Sequence, residues 1–145
     1  MRVKAEDIEN FAAYEYMIGR DENGNGIFER GYDAMMSDFV AIEAGAGGIS
    51  VAYNEYLEEW VMVYTAPSKA DQGGLVGGIV MRSAKTLDSV WSGEALVTSN
   101  AFWGGFYEPS ISSRYMTEGG RKMMIVVSHF DMYNTMLIEV ELRKK

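Results

Sequence analysis

Apolar residues occur in short runs along most of the chain, and Gly, Asn, Asp and Ser separate these runs. This pattern is typical of many short β-strands. The clearest pair, residues 49–54 and 60–64, predicts a β-hairpin. Every position of residues 60–64 is apolar, so this strand is expected to be covered on both faces. A third strand is predicted at residues 79–83, and a short edge strand at residues 94–97.

The strand order then recurs in the last third of the chain. Strands are predicted at residues 110–115, 121–128 and 136–142, each starting about sixty residues after its counterpart in the first set. A repeat of this size, with about four antiparallel strands per unit, is the pattern of a β-propeller blade. A single β-sandwich with Greek-key connections also places strands at this spacing. We prefer the propeller.

The first 45 residues follow the repeat less closely. Residues 5–14 predict a short helix, because three apolar residues share one helical face. Residues 14–18 and 26–30 predict two strands around an Asn-Gly turn. We therefore predict an all-β chain, a partial β-propeller of about two and a half four-stranded antiparallel blades. Its parts are an incomplete blade with the short helix over residues 1–45, a blade over 46–100 and a blade over 101–145.

Composition narrows the classes of function. The chain has 145 residues, 48% of them hydrophobic, and 13 Lys and Arg against 21 Asp and Glu give a net charge of −8. This acidic balance argues against nucleic acid and anionic membrane surfaces as partners. There is no Cys, which excludes disulfides and thiolate chemistry. The longest apolar run, residues 123–127, is far too short to span a membrane, and the first residues lack the apolar stretch of a signal peptide.

One segment resembles the start of a calcium-binding loop. Asp21, Asn23 and Asn25 place oxygen ligands at alternate positions, and Gly26 occupies the sixth position. The twelfth position, which needs a bidentate Glu, is Tyr32. A hairpin turn explains the same residues, because Asn-Gly readily adopts a left-handed backbone. We therefore prefer the turn to calcium, and predict no other metal site or cofactor.

The segment before the strand predicted at residues 110–115 combines aromatic rings with a carboxylate. Trp103, Tyr107 and Glu108 lie there, where a propeller would present them near its axis. Flat rings stack on sugars, and a carboxylate beside them can act as acid or base. An aromatic contact between blades, with a solvated Glu, is an equal alternative.

Two further positions carry isolated polar residues. The only imidazole, His129, lies two residues before Asp131. No Ser stands in a nucleophile-elbow sequence, so a Ser-His-Asp hydrolase is not indicated, and a structural hydrogen bond is the preferred role of the histidine. Arg82 is the one charge in an otherwise apolar predicted strand. Either its guanidinium pairs with a carboxylate near the propeller axis, or the guanidinium faces water while the aliphatic part of the side chain is packed.

Seven short segments, taken in order, carry a resemblance to a known family; they are residues 13–16, 49–57, 60–64, 79–84, 90–92, 107–109 and 128–134. Each segment alone is weakly specific for the family, and the seven segments in this order are more specific. They resemble the C-terminal part of DUF4185, a domain family of unknown function. The resemblance implies a five-bladed propeller similar to glycoside hydrolases. Some members are similar to endo-D-arabinanases that cut arabinan in mycobacterial-type cell walls, which implies an extracellular or wall-associated location.

We therefore expect a glycoside hydrolase, or the C-terminal part of one, that cuts an arabinan-type polysaccharide by carboxylate acid and base catalysis. Its predicted partner is a polysaccharide or oligosaccharide. The predicted catalytic residues are Glu108 and Glu43. The predicted substrate-binding residues are Trp103, Tyr107, Arg82, His129 and Asp131.

A non-catalytic carbohydrate-binding or structural propeller is the alternative. Gly48 and His129 favour it, because the resemblance implies an acidic residue and a Gln-like residue near these positions.

Two and a half blades are too few to close a ring, since propellers have about four to eight. We therefore expect either missing N-terminal blades or a homodimer, and no hydrolysis by this part alone.

Overall fold

The computed structural model describes residues 1–36, 46–66, 77–100 and 105–144. This part of the chain is mostly β-strand, with one short α-helix, α1 (Tyr32–Met35), between the second and third strands. None of its helices is long and apolar enough to cross a membrane. The strands are β1 (Glu15–Arg20), β2 (Gly26–Arg30), β3 (Gly47–Asn54), β4 (Glu59–Ala66), β5 (Gly78–Ala84), β6 (Ala95–Ser99), β7 (Phe106–Ser110), β8 (Met116–Thr117), β9 (Lys122–His129) and β10 (Asn134–Glu141).

The described strands form three antiparallel sheets. β1 pairs with β2, while β3, β4, β5 and β6 form a four-stranded sheet, here called sheet I. β10, β9 and β7 lie side by side in sheet II, and β8 also pairs with β9. The prediction of an all-β fold is confirmed. Because the strand order in sheet I follows the chain, as in a propeller blade, the arrangement is consistent with a partial β-propeller.

Of the described residues, 1–36 and 88–90 form one compact unit that contains the β1–β2 hairpin. Oδ1 of Asp21 accepts hydrogen bonds from the backbone N–H groups of Asn23 and Asn25, at 2.9 and 2.8 Å. These bonds, chiefly those from Asn25, hold the pKa of the Asp21 carboxyl below its usual value. The predicted hairpin turn is confirmed, and a calcium ion at these residues stays the less favoured alternative.

The predicted helix over residues 5–14 is wrong. Two single-turn 3₁₀ segments are found there instead, Ala5–Asp7 and Phe11–Ala13. The apolar face that predicted a helix stays in solvent, since Ile8 is 61% and Phe11 83% exposed. Short helices need a buried apolar face, because they are marginal in water on their own.

Sheets I and II belong to the second compact unit and share one core. Alternate residues of β9 are buried, as expected for a strand with one face against a core. In β4 the four residues 61–64 are all buried, so the predicted coverage of both faces is confirmed. The buried core residues are Val61, Val63 and Ile79 from sheet I, Phe106, Met123, Ile125 and Val127 from sheet II, and Ile111 and Leu142 beside them.

The strand predicted at residues 110–115 is misplaced: a 3₁₀ turn covers Ser113–Tyr115, and the strand in this part of the chain, β7, covers Phe106–Ser110. The first residue of β7 is buried. The Phe106 ring packs edge-on against the His129 imidazole, with 5.3 Å between the ring centroids. Pro109 is buried within the same strand. Proline is tolerated there because β7 is the last strand of the path through sheet II, and an edge strand does not need every N–H.

Two polar contacts join the sheets across the core. The Ser50 hydroxyl on β3 accepts a hydrogen bond from the backbone N–H of Ile111 at 3.0 Å. Asn54, completely buried at the end of β3, donates from its amide to the Gly120 carbonyl at 2.8 Å and accepts from the Leu57 N–H at 2.9 Å. A buried polar group without such partners costs about 1–3 kcal/mol. The two contacts therefore fix the position of sheet II along β3.

Candidate functional site

Three neighbouring strands of sheet II start or finish at the same end of the sheet, here called the upper end. β7 and β10 begin there and β9 ends there, because Phe106 pairs with His129, which pairs in turn with Asn134. The structure brings four of the predicted site residues to this end of the sheet. They are Tyr107, Glu108, His129 and Asp131.

Glu108 lies inside β7 rather than ahead of it, in an irregular part of the strand. Its backbone is left-handed, with φ of 50°, and the β7–β9 register breaks between Tyr107 and Ser110. A non-glycine residue in this conformation costs on the order of 1 kcal/mol and persists only where its surroundings hold it. Such strain is frequent at functional sites. The side chain of Glu108 is exposed and therefore accessible to a ligand.

Gly48, near the start of β3, leaves room for Glu108. Its φ is +41°, and the β3–β4 register breaks between Gly47 and Ile49. A Cβ atom on Gly48 would lie 2.9 Å from both Cα and Cδ of Glu108. Glycine is therefore required here, for its backbone conformation and for the space it leaves. The glutamate is held between its own irregular strand and the backbone of β3.

Three aromatic rings form a row at the upper end, here called the aromatic platform: Tyr107, Phe130 and Tyr133. The ring centroids of Tyr107 and Phe130 are 6.1 Å apart with the ring planes at 70°, and those of Phe130 and Tyr133 are 6.0 Å apart with the planes at 33°. Phe130 is 58% and Tyr133 81% exposed, so large apolar faces meet solvent. Of the three, only Tyr107 was predicted from the sequence. The signal for the other two was their place between two predicted strands, in a turn too short to fold back into the core.

His129 lies beneath this surface. Its side chain is 1% exposed, and its Nδ1 accepts a hydrogen bond from the backbone N–H of Met132 at 3.3 Å. The contact closes the turn that carries Phe130, Asp131 and Tyr133. The imidazole thus makes the kind of structural hydrogen bond preferred for it from the sequence, while direct contact with a substrate stays a prediction. Asp131 is exposed in the same turn.

Arg82 belongs to a different polar cluster, on sheet I. Its Nη2 is 3.5 Å from Oε1 of Glu94, and the hydroxyl of Tyr64 donates to the same oxygen at 2.5 Å. Burial of the phenol and, after it, the hydrogen bond to Glu94 raise the pKa of Tyr64 to about 12. The guanidinium therefore pairs with a carboxylate, which is one of the two roles expected for it.

This cluster borders a cleft of about 1010 Å³. Its described walls come from the β3–β4 turn, the segments around the end of β5 and the start of β6, and the residues that end β10, and they include Lys85 and Arg143. Neither Tyr107 nor Glu108 is among those described walls. The structure thus separates Arg82 from the predicted site residues at the upper end.

Glu43 and Trp103, the remaining predicted site residues, lie outside the described residues. Within the described ranges, no three His, Asp or Glu side chains stand close enough together to hold a metal ion. The candidate site is therefore the upper end, where the aromatic platform and the carboxylates of Glu108 and Asp131 reach solvent.

Comparison with known proteins gives the family. Residues 1–139 match the family described as Domain of unknown function (DUF4185). The chain belongs to the DUF4185 family. This confirms the resemblance seen in the sequence. No curated protein is significantly similar to the chain, so the chemistry of this DUF4185 domain must be inferred from its own residues.

Gly48→Ala should destabilise the DUF4185 domain by about 1–3 kcal/mol, because a left-handed φ strains any L side chain and the new methyl group overlaps Glu108. Gly47→Ala is the matched control. Its Cβ would only touch Thr65, at 3.8 Å, so a change of about 1 kcal/mol or less is expected. Urea unfolding of both variants measures the difference, and equal stabilities would contradict the contact described between Gly48 and Glu108.

Proposed function

We propose that the upper end binds a polysaccharide and that this DUF4185 domain is glycoside-hydrolase-like. The aromatic platform carries the proposal: two of its three rings are more than half exposed, and Glu108 and Asp131 each adjoin one of its rings in sequence. Aromatic rings offer flat apolar faces to the C–H faces of sugars, and carboxylates accept hydrogen bonds from hydroxyl groups. Together these contacts suit a carbohydrate.

The charges at the upper end favour a neutral polysaccharide. The segments that build it, residues 46–50, 105–110 and 128–134, contain Glu108 and Asp131 but no Lys or Arg. An acidic glycan would be repelled, because these segments carry two carboxylates and no Lys or Arg. A row of three rings also offers contacts to more than one sugar unit. An arabinan-type polymer, which the family resemblance implies, meets both conditions.

Hydrolysis is the more specific form of this proposal, with Glu108 as an acid–base carboxylate. Glycosidases use a pair of Asp or Glu residues, and Glu43 is the proposed second member. The strained backbone of Glu108, held against Gly48, supports a catalytic role because such strain accumulates at functional sites. A non-catalytic binding domain is the second candidate, because the aromatic platform needs no second carboxylate to hold a glycan.

Calorimetric titration with arabinan oligosaccharides tests binding. We expect Phe130→Ala and Tyr133→Ala each to weaken the affinity about tenfold, since each removes one ring of the aromatic platform. Tyr115→Ala is the matched control, because Tyr115 is 51% exposed outside the platform and its loss should leave the affinity unchanged. Wild-type affinity in all three variants would contradict the proposal.

Release of reducing sugars from arabinan separates the two candidates. If the domain hydrolyses arabinan, Glu108→Gln should abolish release while binding stays within about threefold of wild type, since Gln keeps the shape but cannot transfer a proton. Wild-type protein that binds arabinan and releases no sugar would show that this chain alone binds the polymer without cutting it. Undiminished turnover by Glu108→Gln would remove this residue from the mechanism.

A further inference from the structure

A separate pocket lies at the opposite end of β3, away from the aromatic platform. It has a volume of about 450 Å³ and forms where the β3–β4 turn meets the 3₁₀ turn Glu118–Gly120 that precedes β9. Pockets of this size take small molecules. Its described lining residues all belong to the second unit and are Ala52, Tyr53, Glu55, Trp60, Ser113, Met116, Gly119 and Gly120.

Two aromatic rings give the pocket its shape. Tyr53 and Trp60 face each other across β3 and β4, with centroids 5.6 Å apart and ring planes at 71°. Rings set nearly at right angles form a corner rather than one flat stacking surface. Gly119 and Gly120 contribute to the lining without side chains, which keeps the space open. The thioether of Met116 adds a polarizable apolar contact.

The pocket carries one formal charge. Among its described lining residues Glu55 is the one acidic residue, and none is Lys or Arg. The faces of Trp and Tyr rings attract cations through the ring quadrupole, and a nearby carboxylate adds to this attraction. The net charge of −8 also favours cations over anions around the protein.

We propose that this pocket binds a small organic cation, with its ammonium group against the Tyr53 and Trp60 rings and beside the Glu55 carboxylate. A quaternary ammonium group fits best, because its methyl groups match the apolar walls and it has no N–H that needs an acceptor. A neutral sugar gains less from this pocket, because it has no positive charge for the Glu55 carboxylate and the ring quadrupoles to attract. The proposal is independent of the polysaccharide site at the upper end.

Choline and its neutral carbon isostere, in which a tert-butyl group replaces the trimethylammonium group, test the proposal. The readout is the indole N–H resonance of Trp60, assigned with Trp60→Phe, in NMR titrations at constant ionic strength. We expect choline to shift this resonance saturably. The isostere should bind at least about tenfold more weakly, because it has the shape of choline without the charge.

A charge-removing variant tests the carboxylate. Glu55→Gln should weaken choline binding about fivefold and keep the fold intact, since Glu55 is exposed. Glu58→Gln is the matched control: it removes the same charge from the same turn, but Glu58 is not among the described lining residues of this pocket. The control should bind choline as the wild type does.

Several results would overturn the proposal. One is a Trp60 resonance that does not respond to choline up to about 50 mM. Another is equal affinity for choline and its isostere, and a third is wild-type choline affinity in Glu55→Gln. A saturable response to arabinan oligosaccharides without a response to choline would mark the pocket as a sugar subsite instead.

Discussion

The second unit depends on the packing of sheet I against sheet II. Both sheets contribute aliphatic side chains that are completely buried, and each such side chain is worth about 1.5–3 kcal/mol. This attraction has no direction, so alone it would let one sheet slide over the other. Two hydrogen bonds remove that freedom, one from Ile111 to Ser50 and one from Asn54 to Gly120. They act at the middle and the end of β3, which is in contact with β7 of sheet II.

This fixed register explains the structure at both ends of β3. At its start, the absence of a side chain at Gly48 leaves the space that Glu108, with its left-handed backbone, occupies. At its end, Tyr53 and Trp60 meet the turn Glu118–Gly120 and enclose a pocket with one carboxylate. The packing of sheet I against sheet II therefore supports both proposed sites, which differ in shape. The proposed glycan site is an open row of rings, and the proposed cation site is a small corner.

Much of this fold could be predicted because strands follow local patterns. Apolar runs predicted β4 and β9, and turn residues predicted the hairpins. Four predicted site residues meet at one end because antiparallel neighbours reverse direction, so one strand starts beside the end of the next. The start of β7 was missed because Pro109 resembles a strand breaker in sequence. The separation of Arg82, and the exposure of Phe130 and Tyr133, depend on contacts between distant segments that no local pattern contains.

Native-state hydrogen exchange measures the coupling between the sheets directly. The slowest amides of β4 in sheet I and of β9 in sheet II report the free energy at which each sheet opens. If one shared core and two hydrogen bonds hold the unit together, both strands should exchange with the same opening free energy, equal to that of global unfolding. If β9 opened at a free energy about 2 kcal/mol or more below that of β4, the sheets would be independent, and the sites at the two ends of β3 would lose their common support.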